Sequence, residues 1–499
     1  MKKLDVLLVH PNASKKIYQG LSDDFAAIEP PIWASMIAKY LSIKGINVKI
    51  LDCEALGLNL EQSFEAIKSY DPKIVCLVVY GQQPSASTQN MVGANILMNR
   101  IKDCNFIRVY VGAHPSALPK LTLENDPSCF VCAGEGPKTL EALSQINDFS
   151  SDKDLSKVPG LWYYDSHGVI RNNPQAPLIF NLEEELPEMA LDLLPLDKYR
   201  TANWHSWTNN NEKQPFFSLY TSLGCPFKCS FCMINSPFNQ GDTKNNSFRY
   251  WNPNHIIKTF DKLAGLGIKN IKIADEMFVY RPSHFLELSK LIIERGYKFN
   301  IWAYARIDTV KEDYLDILKK AGVNWLGLGV ESANKVVRQE VTKGKFQEMN
   351  IRDIVDKVSS HDICVGTNYI FGLPKDTYES MQETLDLALD LNTEYANFYS
   401  AMAYPGSQLH RDFSKLNPQA LPENNNVGWI GYSQHAYETF NLPNENLKNY
   451  EILKFRDEAF KKYFTSQKYI SKMTKKFGVS FEKELEYMLS IKLERKILE

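Results

Sequence analysis

Short apolar runs alternate with amphipathic stretches along the first part of the chain. Runs of strand length lie at 4–10, 47–52, 73–80, 106–112 and 129–134, and helical patterns such as "PPIWASMIAKYLSIKG" separate them. This alternation is typical of βαβ units, in which parallel strands are covered by helices. We therefore predict an α/β domain over residues 1–147. Its sheet should be doubly wound, parallel and flavodoxin-like, with a ligand at the carboxyl ends of the strands.

A second alternation occupies residues 215–410. It contains six strand-like runs, from "FFSLYTSL" to "EYANFYSAMA", with helical patterns between them. Six βα units are two short of a closed eight-stranded barrel, so we predict a partial (β/α)6 barrel. Residues 148–214 read as a connector with a short hairpin around "DSHG", and residues 411–499 read as a small α-helical C-terminal domain.

Composition narrows the classes of function. The formal net charge is −2, which gives no reason to propose a nucleic-acid partner. No apolar run approaches the roughly 20 residues of a membrane span, so we predict no membrane association. Nine cysteines in a large chain favour a reducing, cytoplasmic location, where clustered thiols indicate metal binding or catalysis more than disulfides.

Three of the cysteines form a cluster in "GCPFKCSFC", just after the first strand of the predicted barrel. Cys225, Cys229 and Cys232 have the spacing C-x3-C-x2-C. A structural zinc site takes four ligands, and no fourth is evident nearby. An iron–sulfur cube normally takes four thiolates, so three would leave one iron open to a substrate.

The C-x3-C-x-Φ-C pattern, with Phe231 as the aromatic residue, resembles the signature of radical S-adenosylmethionine (radical SAM) enzymes. The resemblance implies a [4Fe-4S] cluster on the three cysteines and S-adenosylmethionine bound at its open iron. Later motifs at successive strand ends agree with the family's pattern: "ADE", "YARID", "GVES", "YIFGLPKDT" and "AYPGSQL". On this basis, the residues implied to bind S-adenosylmethionine are Phe231, Asp275, Glu276, Arg306, Glu331, Ser332 and Ile370.

One departure from the family concerns the motif that binds the methionine amino group. The family has a Gly-Gly-Glu-like motif there, whereas this chain has Ala274, Asp275 and Glu276. Because the glycines are absent, either Asp275 or Glu276 must serve, through a carboxylate or a backbone carbonyl.

The first domain resembles the cobalamin-binding domain that precedes many radical SAM barrels. "VGAHPSALP" and "CAGEGPKTLEAL" carry the resemblance, and no G-x-G-x-x-G fingerprint follows the first strand, which disfavours a dinucleotide. The D-x-H-x-x-G motif that supplies an axial histidine in other cobalamin enzymes is absent, so no cobalt ligand is predicted. The residues implied to bind cobalamin are Ser85, Ser87, Thr88, Gly112, Ala113, His114, Gly134, Glu135 and Gly136.

A second cysteine pair, Cys129 and Cys132 in "CFVC", has the spacing of a metal motif. It falls within a predicted strand, where residues three apart point to opposite faces. We therefore predict that both thiols pack in the core.

The resemblance implies a cobalamin-dependent radical SAM methyltransferase. It would act at an unactivated carbon of a small molecule, through a 5′-deoxyadenosyl radical and methylcobalamin, with electrons from an external flavodoxin- or ferredoxin-type donor. Two alternatives stay open. One is a radical rearrangement or cyclisation with the same cofactors and no methyl transfer; the other is a non-catalytic cobalamin or redox sensor.

Overall fold

The computed structural model describes residues 3–81, 83–201, 213–239, 248–342 and 350–499. A seven-stranded sheet forms the first domain in the order β2-β1-β3-β4-β5-β6-β7. Its strands are β1 (Val6–His10), β2 (Val48–Asp52), β3 (Ile74–Val79), β4 (Ile107–Gly112), β5 (Phe130–Cys132), β6 (Leu161–Tyr164) and β7 (Ile170–Asn172).

Strands β1 to β5 of this sheet are parallel, in the order 2-1-3-4-5 of flavodoxin-like folds. The predicted doubly wound sheet is therefore confirmed. Strands β6 and β7 form the predicted hairpin, and β6 pairs antiparallel with β5. The hairpin lies within the predicted connector and extends the first sheet. The end of that connector, 202–212, lies outside the described residues.

Side chains of the first sheet alternate between two hydrophobic cores. Val6 and Leu8 point into one core, whereas Leu7 and Val9 point into the other. The first core continues without a break into the barrel, so the two domains share it. Cys129 and Cys132 follow the same rule, because each is buried in a different core. Their predicted packing role is thus what the structure shows.

The second sheet has six parallel strands in the order β15-β14-β13-β12-β11-β8, which confirms the partial barrel. They are β8 (Phe216–Leu219), β11 (Asn270–Ile273), β12 (Asn300–Arg306), β13 (Val323–Glu331), β14 (Cys364–Phe371) and β15 (Tyr395–Ser400). A small antiparallel pair, β9 (Ser222–Leu223) and β10 (Arg249–Tyr250), stands at the start of the cysteine segment.

Helices cover the faces of both sheets. Those of the first domain and connector are Ser14–Tyr18, Leu21–Asp24, Ile32–Ile43, Leu60–Tyr70, Pro84–Arg100, Ala113–Ala117, Pro119–Asn125, Pro137–Ser144, Asp152–Leu155 and Leu182–Glu185. Those of the barrel are Ser236–Asn239, Pro253–Gly265, Pro282–Glu294, Leu315–Lys320, Lys335–Thr342, Ile351–Ser360 and Tyr378–Leu391.

The C-terminal region is helical, as predicted, with helices Gln408–Leu416, Asn449–Phe464, Gln467–Phe477 and Ser480–Ser490. Between the first two of these, short 3-10 turns such as Gly428–Tyr432 replace α-helix. This stretch is rich in proline and asparagine, which favour turns over helices. No helix in the described ranges is both long enough and apolar enough to cross a membrane.

Candidate active site

The cysteine segment leaves β9 through a sharp turn at Gly224. Its φ of +85° is a backbone conformation that favours glycine. Asn235 then closes the segment, because its side chain hydrogen-bonds both the N–H and the carbonyl of Cys225 at 3.4 and 3.3 Å. Two further backbone bonds hold Ser230, to Val341 at 2.9 Å and from Leu409 at 2.8 Å. The loop is therefore fixed to the barrel at several points.

All three cysteines of this loop are free thiols. Burial raises the pKa of Cys225 to about 12, that of Cys229 to about 11 and that of Cys232 well above its ordinary value. The Arg306 charge partly opposes the increase for Cys225 and Cys229. Such thiols stay protonated unless a metal compensates the thiolate charge. In the described part of the chain, no three His, Cys, Asp or Glu side chains converge closely enough to hold a single metal ion.

Asp275 and Glu276 lie just after β11 but differ in surroundings. The Asp275 carboxylate accepts hydrogen bonds of 2.6 Å from the Thr221 N–H, the Thr221 hydroxyl and the Ser222 hydroxyl. It is buried, and burial raises its pKa to about 6 against the effect of these bonds. The Asp275 side chain therefore supports the strand that leads into the cysteine loop, and its predicted contact with S-adenosylmethionine stays a prediction.

Glu276 makes no hydrogen bond to the described residues. Burial raises its pKa to about 7, and the nearby Lys272 charge opposes the shift. Its charge in turn helps to raise the pKa of Cys225 and of Cys232, so the carboxylate is close enough to act on both thiols. Of the two adjacent acids, Glu276 is the one available to a ligand.

Arg306 and Glu331 face the same loop from the ends of β12 and β13. Arg306 Nε donates to Asp308 at 2.8 Å, and the guanidinium lies 3.8 Å from the Phe227 ring centre. Glu331 has a φ of +64°, a strained conformation for a non-glycine residue. Burial raises its pKa to about 7 and the Arg306 charge lowers it. Phe227 was not predicted, although its place between two cysteines was a usable signal.

Phe231 and Ile370 meet on one apolar surface. Both pack against a small cluster that includes Val337, Val341 and Leu373. Ser332 lies apart: it is fully buried, its hydroxyl contacts Thr384 Oγ1 at 3.1 Å, and it accepts from the Asn334 N–H at 3.2 Å. Its hydroxyl thus holds the turn before helix Lys335–Thr342, and its predicted contact with S-adenosylmethionine stays a prediction.

In the first domain, three glycines stand where strands β4 and β5 end. Gly112, Gly134 and Gly136 have φ values of +152°, +122° and +105°. A Cβ atom on Gly112 would lie 2.0 Å from the Val79 carbonyl oxygen, so this position tolerates no side chain. Beside them, the buried His114 Nε2 and Thr139 Oγ1 make no hydrogen bond to the described residues. Strand ends that carry glycine, next to polar atoms without a described protein partner, fit a ligand that approaches the backbone.

Two other residues predicted to bind cobalamin at this edge, Ser87 and Thr88, form hydrogen-bonding contacts with His114. Ser87 and Thr88 lie in helix Pro84–Arg100, which begins earlier than the sequence pattern predicts. Ser87 accepts from the His114 N–H at 2.9 Å, and Thr88 Oγ1 lies 3.2 Å from His114 Nδ1. Burial lowers the pKa of His114 to about 3, so its imidazole is neutral.

Glu135, which stays a predicted cobalamin residue, is also bound by protein partners. Its carboxylate forms a buried ion pair with Arg249 Nη2 at 2.8 Å and accepts from the Ile179 N–H at 2.8 Å. Both charged side chains are only 5% exposed. The contact joins the first domain to the strand beside the cysteine loop, which makes Glu135 a link between domains. Ala113 is buried in helix Ala113–Ala117, against which helix Ser236–Asn239 packs.

A cavity of about 310 Å³ lies between the first domain and the open interior of the barrel. Glu29 and Ser85 line it from the first domain, Lys272 and Tyr304 from the barrel, and His435 and Arg456 from the C-terminal region. Lys272 is buried and bonds Glu29 across the domain boundary at 3.0 Å. This pair was not predicted from the sequence. The one sign of it there is a lysine between Ile271 and Ile273, in a buried strand.

Known families match both domains. The model of the radical SAM superfamily matches residues 219–388, and that of the B12 binding domain matches residues 19–144. The first match lies within the barrel and the second lies within the first domain. The chain belongs to the cobalamin-binding radical SAM enzymes.

Curated relatives of this radical SAM enzyme include different activities. An uncharacterized methyltransferase of Pyrococcus horikoshii is 29% identical over 418 residues, which cover 82% of this chain and 83% of the relative. An anaerobic magnesium-protoporphyrin IX monomethyl ester cyclase of Rubrivivax gelatinosus is 25% identical over 435 residues, 83% and 72% of the two chains.

Among solved structures, the radical SAM methyltransferase TsrM from Kitasatospora setae, with cobalamin and a [4Fe-4S] cluster bound, superposes with a TM-score of 0.60. The alignment covers 84% of this chain and 75% of TsrM at 18% identity, so it supports the fold alone. The cofactors of the enzyme follow from its family: a [4Fe-4S] cluster, S-adenosylmethionine and cobalamin.

Proposed function

We propose that this enzyme transfers a methyl group to an unactivated carbon of a small molecule bound in the cavity between the domains. The observation that carries the proposal is the position of that cavity. Residues of the B12-binding domain line one side of it and residues of the radical SAM barrel line the other. A substrate held there would face both cofactor domains at once. The cavity is within the lower range of small-molecule sites.

Cys225, Cys229 and Cys232 would hold the [4Fe-4S] cluster. Their chemistry fits, because three free thiols in one anchored loop are the ligand set that leaves one iron open. Arg306 lies beside them, where its charge favours thiolates. The reducing electron would come from a flavodoxin- or ferredoxin-type donor.

Five residues are the candidates for S-adenosylmethionine binding, and they divide four tasks among them. Glu276 would accept from the methionine amino group, and Arg306 would pair with the carboxylate. Phe231 and Ile370 would pack against the adenine, since they share one apolar surface. Glu331, bent toward Gly329 by its unusual backbone, would accept from a ribose hydroxyl.

The glycine edge of the first domain would receive cobalamin, with Gly112, Gly134 and Gly136 allowing close approach to the backbone. Ser85 lines the cavity and can donate to the ligand. When bound, the cluster and S-adenosylmethionine supply a hydrogen-abstracting radical and cobalamin supplies the methyl group. The residues around the cavity exclude water and orient the substrate carbon between them.

A second candidate is ring closure without methyl transfer. The match to the Rubrivivax gelatinosus cyclase over 83% of this chain favours it. Both candidates use the same three cofactors, so the cavity and the cofactor residues do not separate them.

Mass spectrometry of the product separates the two candidates. The reconstituted holoenzyme is incubated under anaerobic conditions with methyl-labelled S-adenosylmethionine and candidate substrates. We expect the label in the product and 5′-deoxyadenosine beside it. A product without label would reject methyl transfer in favour of ring closure. No 5′-deoxyadenosine with any reductant would favour a non-catalytic sensor.

A further inference from the structure

The C-terminal region contributes three polar residues to the cavity. Gln434 and His435 follow the 3-10 turn Gly428–Tyr432, and Arg456 lies in helix Asn449–Phe464. All three fall outside the ranges matched by the radical SAM and B12-binding models, 219–388 and 19–144. The family assignment therefore gives them no role.

Hydrogen bonds fix the proton on the His435 ring. The Ser400 N–H donates to Gln434 Oε1 at 3.4 Å, which identifies the oxygen of that amide. Gln434 Nε2 must then donate to His435 Nε2 at 3.3 Å, so this ring nitrogen is the acceptor. The proton of the neutral ring is left on Nδ1, which is enclosed and makes no hydrogen bond to the described residues.

Two guanidinium groups, those of Arg456 and Arg495, act on the His435 ring. Arg456 is buried; its Nε donates to the Phe398 carbonyl at 2.7 Å and its Nη1 to Asp457 at 2.9 Å. Arg495 shares the same carboxylate through two bonds of 3.0 Å. One aspartate thus faces two guanidinium groups, and Arg456 Nη2 makes no hydrogen bond to the described residues.

The surroundings also keep His435 uncharged. Burial, together with the charges of Arg456 and Arg495, holds its pKa well below the ordinary value. The carboxylate of Glu29, which lines the cavity from the first domain, is already paired with Lys272. Unused donors in a buried, positively charged corner favour an acceptor that carries negative charge.

We propose that His435 and Arg456 bind an oxyanion of the substrate, either a carboxylate or a phosphate, at the C-terminal wall of the cavity. The assignment of this anion to the substrate rests on the proposed function. The anchored group would lie beside β15, whose Phe398 and Ser400 backbones hold Arg456 and Gln434. The rest of the molecule would then extend toward Tyr304 and Lys272.

Anion binding can be measured without turnover. Inorganic phosphate and benzoate are titrated calorimetrically into the reconstituted holoenzyme and into Arg456→Gln and His435→Phe variants. We expect each substitution to weaken the anion that the wild type binds by at least about tenfold, since a buried charged hydrogen bond is lost. Lys454→Gln is the matched control, because it removes one positive charge from an exposed position of the same helix, and its affinity should not change.

Two further measurements complete the test. Arg456→Lys keeps the charge and should keep most of the affinity, even if Arg456→Gln fails to fold by circular dichroism. Equal binding in all variants, or no binding of either anion to the wild type, would overturn the proposal.

Cobalamin has a phosphate of its own, which cobinamide lacks. If Arg456→Gln loses cobalamin and retains cobinamide, the anion belongs to the cofactor and the substrate assignment is overturned. Because no methyl transfer is measured, failure here is separate from failure of the proposed function.

Discussion

At the residue scale, neighbouring side chains of the same type have different tasks. Asp275 and Glu276 are adjacent acids at one strand end, and the sequence left either as the ligand of the amino group. The structure separates them by their partners, since three donors bond the Asp275 carboxylate and no donor among the described residues bonds Glu276. Such partners come from residues 53 or 54 positions away in the chain, so no local pattern could have identified them.

Substitution of the two acids should therefore affect different properties, ligand affinity for Glu276 and thermal stability for Asp275. Glu276→Gln should weaken S-adenosylmethionine binding by about tenfold or more, because a charged hydrogen bond is lost, with little change in thermal stability. Asp275→Ala should lower the melting temperature, because the donors of Thr221 and Ser222 lose their acceptor in the interior. Equilibrium dialysis with S-adenosylmethionine and thermal unfolding measure the two effects. If Asp275→Ala weakened binding without loss of stability, the separation would be wrong.

At the scale of elements, the period of the hydrophobic pattern predicted both sheets, because strand alternation and βα spacing are local properties of the chain. The same reasoning separated the two cysteine motifs. Cys129 and Cys132 straddle a strand and enter different cores. The boundaries of helices were less predictable: the pattern predicted a helix from Thr88, but it begins at Pro84 and includes Ser85 and Ser87, because proline can begin a helix.

Replacement of the two cysteine motifs should affect the iron content of the protein differently. Replacing Cys225, Cys229 and Cys232 with alanine should abolish iron and sulfide in anaerobically reconstituted protein, because the loop supplies all the proposed ligands. The cobalamin absorbance should remain, since its proposed site lies on the other sheet. The control replaces Cys129 and Cys132 with alanine and should keep both cofactors. Iron retained in the triple variant would contradict the assignment of the cluster.

At the scale of the whole molecule, the site depends on contacts between distant segments. The sequence predicted each domain separately, because each has its own repeating pattern. It could not predict how the domains meet: Lys272 pairs with Glu29 across 243 positions, and the C-terminal region supplies His435 and Arg456 to the cavity. Those contacts depend on packing of the completed domains, and the local sequence indicates at most that Lys272 is buried in a strand, not which residue it meets.

The Glu135–Arg249 pair is the sharpest test of how the domains are joined. It ties the end of β5 to β10, next to the cysteine loop, and Arg249 also donates to the Ile179 carbonyl. Glu135→Gln would leave a buried guanidinium without its carboxylate, which costs about 3–5 kcal/mol. We expect the melting temperature of the holoenzyme to fall by several degrees. The control, Glu61→Gln, breaks an exposed pair with Arg100 and should leave the melting temperature unchanged. Equal melting temperatures for the two variants would mean that the Glu135–Arg249 pair does not stabilise the interface. A lower melting temperature together with weaker cluster retention would show that this contact also holds the cysteine loop, since Arg249 pairs with Leu223, two residues before Cys225.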